Sequence, residues 1–347
     1  MKQDLKSLPL DELKVYFESI GERPYRAGQV YRWLHNGAQT FDEMTDLSEA
    51  LRAKLETEAV ITVPEMLEKQ VSKQDGTLKY LWRLADGNTV ESVVLDYRHG
   101  LTVCISTQVG CRMGCAFCAS AIGGLIRNLA PSEMLDQVLF SQADAGKRIS
   151  NVVLMGIGEP LDNFDNVMRF LSIMTHHAGM NIGQRHITLS TCGIIEMIDK
   201  LAGYDIQSAL AVSLHAPDDE TRSRLMPVNK NTGVDNLLSA CARYSAATGK
   251  RISYEYALID GVNDTQRQAV MLSKKLRNTG NHHLNLILLN NVTERAFRAS
   301  QPESVSEFAV ILKQNGVNFT FRRRLGGDID ASCGQLRGKK HGTLGNN

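Results

Sequence analysis

The stretch that decides the fold is Leu101–Cys118, "LTVCISTQVGCRMGCAFC". Its first residues, LTVCIST, form a short apolar, β-rich run that ends in polar residues, the pattern of a buried strand. The loop that follows carries Cys111, Cys115 and Cys118, with three residues and then two between them. A strand that empties into a cysteine loop raises two questions: which sheet the strand belongs to, and what the thiols hold.

Working outward, the same strand pattern recurs at NVVLMG (151–156), HITLST (186–191), SALAVSL (208–214), RISYEYALI (251–259), HLNLILL (283–289) and VNFTFRRR (317–324). Segments with helical spacing separate these runs, for example PSEMLDQVLFSQADAG (131–146) and GVDNLLSACARYSAATG (233–249). Strands alternating with helices imply an α/β fold, with parallel pairing and right-handed crossovers. A doubly wound sheet and a barrel both fit. The units are too few for a complete eight-fold barrel, so a partial (β/α)6 barrel is expected. Either architecture puts ligands at the carboxyl ends of the strands. The unusual residues collect there: the three cysteines, GIGEP (156–160), Ser190 to Gly193, Ser213 and His215, and Asn290 with Asn291.

Before this core, residues 1–75 read as a small helical accessory domain that includes LPLDELKVYFESIG and RAGQVYRWLHNG, with Arg23, Arg26 and Arg32 able to face a polyanion. Residues 76–100 read as a connecting β-hairpin with a turn at DGN. The core then spans 101–325, and 326–347 forms a basic tail. Between Arg322 and Lys340 lie six Lys or Arg against two Asp, a balance suited to phosphates, although a solvated terminus is the plain alternative.

The net charge is +1 and 43% of residues are hydrophobic, a globular composition that does not by itself announce nucleic acid. No run reaches the length of a membrane helix, and the start lacks the apolar stretch of a signal peptide, so a cytoplasmic protein without a membrane partner is expected. Four of the seven cysteines fall between Cys104 and Cys118, which argues for metal or redox chemistry over a disulfide framework. Three local thiolates could bind zinc with Cys104 or another thiol as fourth ligand. They could equally bind an iron–sulfur cluster with one iron left open.

The wider motif set bears on that choice. CISTQVGCRMGCAFCAS, MGIGEPLDN, ITLSTCG, SLHAPDDETRSRLMPVN, LIDGVND and GDIDASCGQL occur in this order. Together they resemble the RlmN/Cfr family of radical S-adenosylmethionine (SAM) RNA methyltransferases, over about residues 10 to 337. GEPLDN is more similar to the branch that methylates carbon 2 of an adenine in 23S rRNA than to Cfr, which methylates carbon 8 and has alanine in place of this proline. The resemblance implies a radical-SAM partial barrel, one 4Fe-4S cluster held by Cys111, Cys115 and Cys118, and two SAM per turnover. Gly158, Glu159, Ser190, Ser213, Leu214, His215 and Asn290 match the positions that hold SAM. Cys333 matches the methyl-carrying cysteine, Cys104 the cysteine that forms a disulfide with it, and Glu91 the proton acceptor. Cys192 and Cys241 are assigned to packing.

The family also methylates adenine in the anticodon loop of some transfer RNAs. An external electron donor such as flavodoxin and a monomeric enzyme are further expectations of the resemblance. One stretch departs from it: NVTERAFRAS follows Asn290, where relatives often have Asn-Pro. Two other readings compete. A different radical-SAM enzyme, such as a protein activase, leaves Cys333 and Cys104 without a role. A non-enzymatic metal-containing RNA-binding module leaves the GIGEP turn without one.

Overall fold

The computed structural model describes residues 2–277, 279–336 and 338. The basic residues Arg337, Lys339 and Lys340 lie outside the described residues. Three helices open the chain: α1 (Leu10–Ser19), α2 (Tyr25–His35) and α3 (Glu49–Glu58). Leu13 and Phe17, Val30 and Leu34, and Leu51 and Leu55 are paired at i and i+4, so each helix turns one apolar stripe into a shared core. Ser48 caps α3 by accepting from the Leu51 N–H. This unit is fixed to the rest of the protein by a buried ion pair, Lys6 to Asp136 at 2.7 Å, and by the Tyr31 hydroxyl donating to the Ile173 carbonyl.

The helical pattern expected up to residue 75 stops at Glu58, and residues 65–71 form a strand. EMLEKQV carries few apolar residues at either period, so pairing with its neighbour, a tertiary effect, decides its conformation. It is the charged edge of the main sheet, which blunts pairing with other chains.

Among the described residues, that sheet has ten strands: β1 (Glu65–Val71), β2 (Leu78–Arg83), β3 (Thr89–Tyr97), β4 (Gly100–Cys104), β5 (Ile149–Leu154), β6 (Ile187–Thr191), β7 (Ala209–Ser213), β8 (Ile252–Leu258), β9 (His282–Leu288) and β10 (Phe319–Phe321). Each strand lies beside its neighbours in sequence, from one edge to the other. The pairs from β1 to β4 are antiparallel, and those from β4 to β10 are parallel.

A strictly sequential parallel order has no reversal point, so it excludes the doubly wound alternative. Same-handed crossovers instead keep the helices on one face and roll the sheet into an open, partial barrel. The strand residues show the two faces. Ile252, Tyr254, Tyr256 and Leu258 of β8 pack into the core beneath the helices, together with Val138, Phe170, Leu237, Leu272 and Phe308. The alternate residue Glu255 turns to the other face, into a cavity. Among the described residues, no helix is long and apolar enough to cross a membrane.

Candidate active site

The cysteine loop is set at the carboxyl end of β4 by a small antiparallel ribbon, Gln108–Gly110 with Leu125–Asn128. Gly110 has φ +75°, and a Cβ there would stand 1.9 Å from the Gly124 carbonyl oxygen, so the ribbon closes only around glycine. The backbone N–H of Cys111 donates to Gly124, that of Ala116 to Leu225 and that of Ala119 to Gly334. These bonds aim Cys111, Cys115 and Cys118 into one cavity. Burial pushes the Cys111 thiol up to about 12 and raises Cys115 and Cys118 as well. Thiols in this setting give up their protons to a strongly electropositive partner. Among the described residues, no three His, Cys, Asp or Glu side chains converge closely enough to hold a single ion. Three soft thiol donors spread around a cavity suit a multi-iron cluster with one iron free for a ligand.

The GIGEP turn follows β5. A Cβ on Gly156 would lie 2.6 Å from the Ile105 carbonyl oxygen, and one on Gly158, at φ +110°, 2.7 Å from Gln108 Cβ. The close approach these glycines permit is therefore to the protein's own strand extension. Glu159 is buried, and its two oxygens accept from the Leu161 N–H at 3.0 Å and the Cys192 N–H at 2.7 Å. It staples the turn to the end of β6, and burial raises its carboxyl above the usual range. Its negative charge faces the same cavity.

Ser190, Ser213, His215 and Asn290 line that cavity too, as strand-end placement predicts. Leu214 does not: its side chain is in the core, and its N–H and carbonyl are committed to Glu255 and Arg222. His215 has φ +55° and accepts from the Ala257 N–H through Nδ1 at 2.9 Å. Burial lowers it to about 3, so the ring is neutral with its proton on Nε2. Asn290 donates to the Cys333 carbonyl, and its Oδ1 is buried without a partner. An orphaned acceptor beside a cavity is a group that waits for a donor such as an ammonium or a hydroxyl.

The loop that carries Cys333 packs against Cys104 from the far end of the core. Cys333 is exposed on the cavity wall. Cys104 sits behind it, packed with Val93, Ile157, Ala331 and Leu336. Burial pushes Cys104 up to about 12, and the Cys333 sulfur is the next contributor. Both are free thiols.

The loop that carries Cys333 is tied on every side. Asp328 accepts from the Ser72 hydroxyl at 2.7 Å and the Lys73 N–H at 3.0 Å, Gly326 donates to Asp75, and Ser120 donates to the Leu336 carbonyl. Gln335 reaches Asn291 and Asp330. Glu91 is buried outside the main cavity lining, paired with Lys79 at 3.0 Å and accepting from the Gly338 N–H. Lys79 also donates to the Asp330 carbonyl, which links Glu91 to the Cys333 loop.

Other wall residues were not singled out by sequence: Met155, Glu255 and Arg322 line the cavity, and Cys192 lines it as well as packing. Glu255 left a signal, a lone carboxylate inside the apolar run RISYEYALI. Arg222 left none. It is fully buried and binds the carbonyls of Cys192, Ser213 and Leu214, tying the ends of β6 and β7 together.

Comparisons with known proteins agree with this geometry. A model of the Radical SAM superfamily matches residues 105–272, and a model of the ribosomal RNA large subunit methyltransferase N-terminal domain matches residues 3–61. A probable dual-specificity RNA methyltransferase RlmN of Lachnoclostridium phytofermentans is 50% identical, covering 97% of this chain and 94% of the relative. A protein of the same name from Alkaliphilus oremlandii is 50% identical over 98% of each chain. The crystal structure of a radical SAM methyltransferase from Sphaerobacter thermophilus superposes with a TM-score of 0.92 at 41% identity, covering 97% of this chain and all of that one.

Proposed function

This chain belongs to the RlmN family of radical SAM RNA methyltransferases, enzymes that use a 4Fe-4S cluster and SAM, and from that premise we propose that it methylates carbon 2 of an adenine in 23S rRNA. The observation that carries the proposal is that Cys333 is exposed on the wall of the cavity lined by the three-cysteine loop, while Cys104 is buried behind it against Ala331 and Leu336 of the same loop. A radical-SAM enzyme with another task has no use for that pair.

The target chemistry explains the need for them. Carbon 2 of adenine is an electron-poor amidine carbon and not a nucleophile, so it cannot attack a sulfonium methyl directly. When bound, the cluster and SAM supply a transferable methyl group and a 5′-deoxyadenosyl radical. Cys111, Cys115 and Cys118 would hold the cluster. Gly158, Glu159, Ser190, Ser213, Leu214, His215 and Asn290 would hold SAM, two molecules being used per turnover. Glu159 offers negative charge, His215 an Nε2–H and Asn290 a free acceptor, while Leu214 supports the site from the core.

Cys333 takes the methyl on its sulfur. That carbon, after losing a hydrogen atom, bonds to carbon 2. Glu91 accepts the ring proton, and its tie through Lys79 to the Cys333 loop supports the role. Cys104, as its thiolate, then attacks the Cys333 sulfur, so that a disulfide forms as the sulfur–carbon bond breaks with its pair on the methylene carbon. That carbon takes a proton to become the methyl group, while the odd electron left by the radical addition would return to the oxidised cluster.

The relatives' name, dual-specificity RNA methyltransferase, supports a second RNA substrate, and the resemblance makes adenine in a transfer-RNA anticodon loop the candidate. Recognition would rest on RNA shape and an unstacked base, with the helical unit and basic tail as contacts. The same reading makes the enzyme a cytoplasmic monomer that draws electrons from a donor such as flavodoxin. Nucleoside analysis tests the proposal. Cluster-loaded enzyme with SAM, reductant and protein-free ribosomal RNA should yield 2-methyladenosine. Only 8-methyladenosine would move the chain to Cfr chemistry, and no methylated adenosine would refute the proposal.

A further inference from the structure

Three arginines follow the last strand, and in sequence they read as one basic run. The structure separates them. Arg323 and Arg324 are exposed, whereas Arg322 turns inward. The Arg322 N–H donates to the Leu286 carbonyl at 2.8 Å, which continues the ladder between β9 and β10. Its guanidinium then lies 3.3 Å from Met155 Sδ through both terminal nitrogens and 3.4 Å from a Glu255 oxygen. The Glu255 contact is long for a charge-assisted bond, so this cation is only partly neutralised there.

Two cavities flank the Arg322 side chain. The main one holds the three-cysteine loop, and a side cavity is bounded by Tyr97, Arg323 and Arg324 among others. Four residues line both: Ile287, Asn290, Arg322 and Cys333. Among the described residues, Arg322 is thus the one cation in the shared wall that also holds the exposed thiol. The guanidinium is held above its ordinary range, with the Cys333 sulfur the largest contributor, against burial and ahead of Glu255, Tyr97 and Cys104.

We propose that Arg322 is a positioning residue for sulfur chemistry and not an RNA contact: its guanidinium offsets the negative charge of the Cys333 sulfur while that sulfur attacks an electrophilic carbon. The thiol first loses its proton to solvent. A sulfur electron pair then forms the new sulfur–carbon bond, and the bond to the leaving group breaks with its pair on that group. The thiolate is the reactive species in such an attack. The same cation also faces Cys104, whose apolar surroundings otherwise oppose ionisation. The inference rests on Cys333 acting as a nucleophile, and it holds for any electrophile.

The test uses iodoacetamide, with neither RNA nor SAM. Full-length protein is loaded with its cluster, kept from SAM, and alkylated anaerobically at neutral pH. Mass analysis follows the Cys333 peptide. Arg322→Met should slow alkylation by about tenfold or more. Arg322→Lys, which keeps the charge, should restore most of the rate, with cluster absorbance and RNA affinity unchanged in both. A wild-type rate in Arg322→Met overturns the proposal. So does equal slowing by Met and Lys, or a defect confined to RNA affinity with a shallower salt dependence. Failure to methylate RNA would count against the proposed function and leave this result unaffected.

Discussion

The Asn290 side-chain amide donates to the Cys333 carbonyl at 3.2 Å, while its own oxygen is buried with no partner. One residue therefore fixes the cysteine loop with one atom and leaves the other for a ligand. Asn290→Ala should weaken SAM binding by about tenfold, from loss of an acceptor worth roughly 1–1.5 kcal/mol. Asn290→Asp keeps the acceptor and should bind nearly as tightly. Equilibrium dialysis against the cluster-loaded protein measures both.

Asp328 ties the Cys333 loop to the hairpin turn at Ser72 and Lys73. Asp328→Ala and Ser72→Ala should each loosen the loop without touching the cavity. Cluster absorbance should be unchanged, while hydrogen exchange of residues 326–336 should rise. Unchanged exchange would show that the other ties hold the loop alone.

The Lys6–Asp136 pair is buried, and burial pushes Asp136 up to about 6 against the pull of Lys6. Asp136→Asn strands a buried ammonium and should destabilise the protein by about 3–5 kcal/mol. Replacing both, as Lys6→Met with Asp136→Leu, should recover most of that. Chemical denaturation of the three variants checks the pattern.

His35 and His215 are both held neutral by burial, His35 lowered to about 4 and His215 to about 3. Between these values and the ordinary 6.5 the unfolded chain binds more protons than the folded one. Their contribution to stability is therefore complete above about pH 6.5 and is lost as the pH falls. Asp136 acts in the opposite sense: the folded state binds the extra proton between its ordinary 3.8 and about 6. Two histidines outweigh one aspartate, so melting temperature should fall as the pH drops from 6.5 to 4. His35→Phe should flatten that slope.

How much of this was legible in the sequence follows from the range of each signal. The strands of the core announce themselves by local pattern, and their carboxyl ends by the polar residues that interrupt it. Ser190, Ser213, His215 and Asn290 were found that way, and the structure brings them to one cavity. Leu214, in the same short stretch, faces the core, because adjacent strand residues point to opposite sides. What stayed hidden depends on long-range pairing. Asp328 had no visible purpose because its partner Ser72 is 256 residues away. Lys79, which joins Glu91 to the Cys333 loop, reads as any strand lysine. Arg322 is one of three identical neighbours, and only the ladder to β9 turns it inward.

Under the proposed function, Cys333 carries the methyl group and Cys104 releases the product. Mass analysis of the Cys333 peptide tests it most directly, using cluster-loaded enzyme given SAM and reductant, in wild type and in Cys104→Ala. The account predicts a methyl adduct on Cys333 before RNA is added. It also predicts a covalent RNA–peptide species at Cys333 that accumulates only in Cys104→Ala. An unmodified Cys333 in enzyme that still methylates RNA would contradict it.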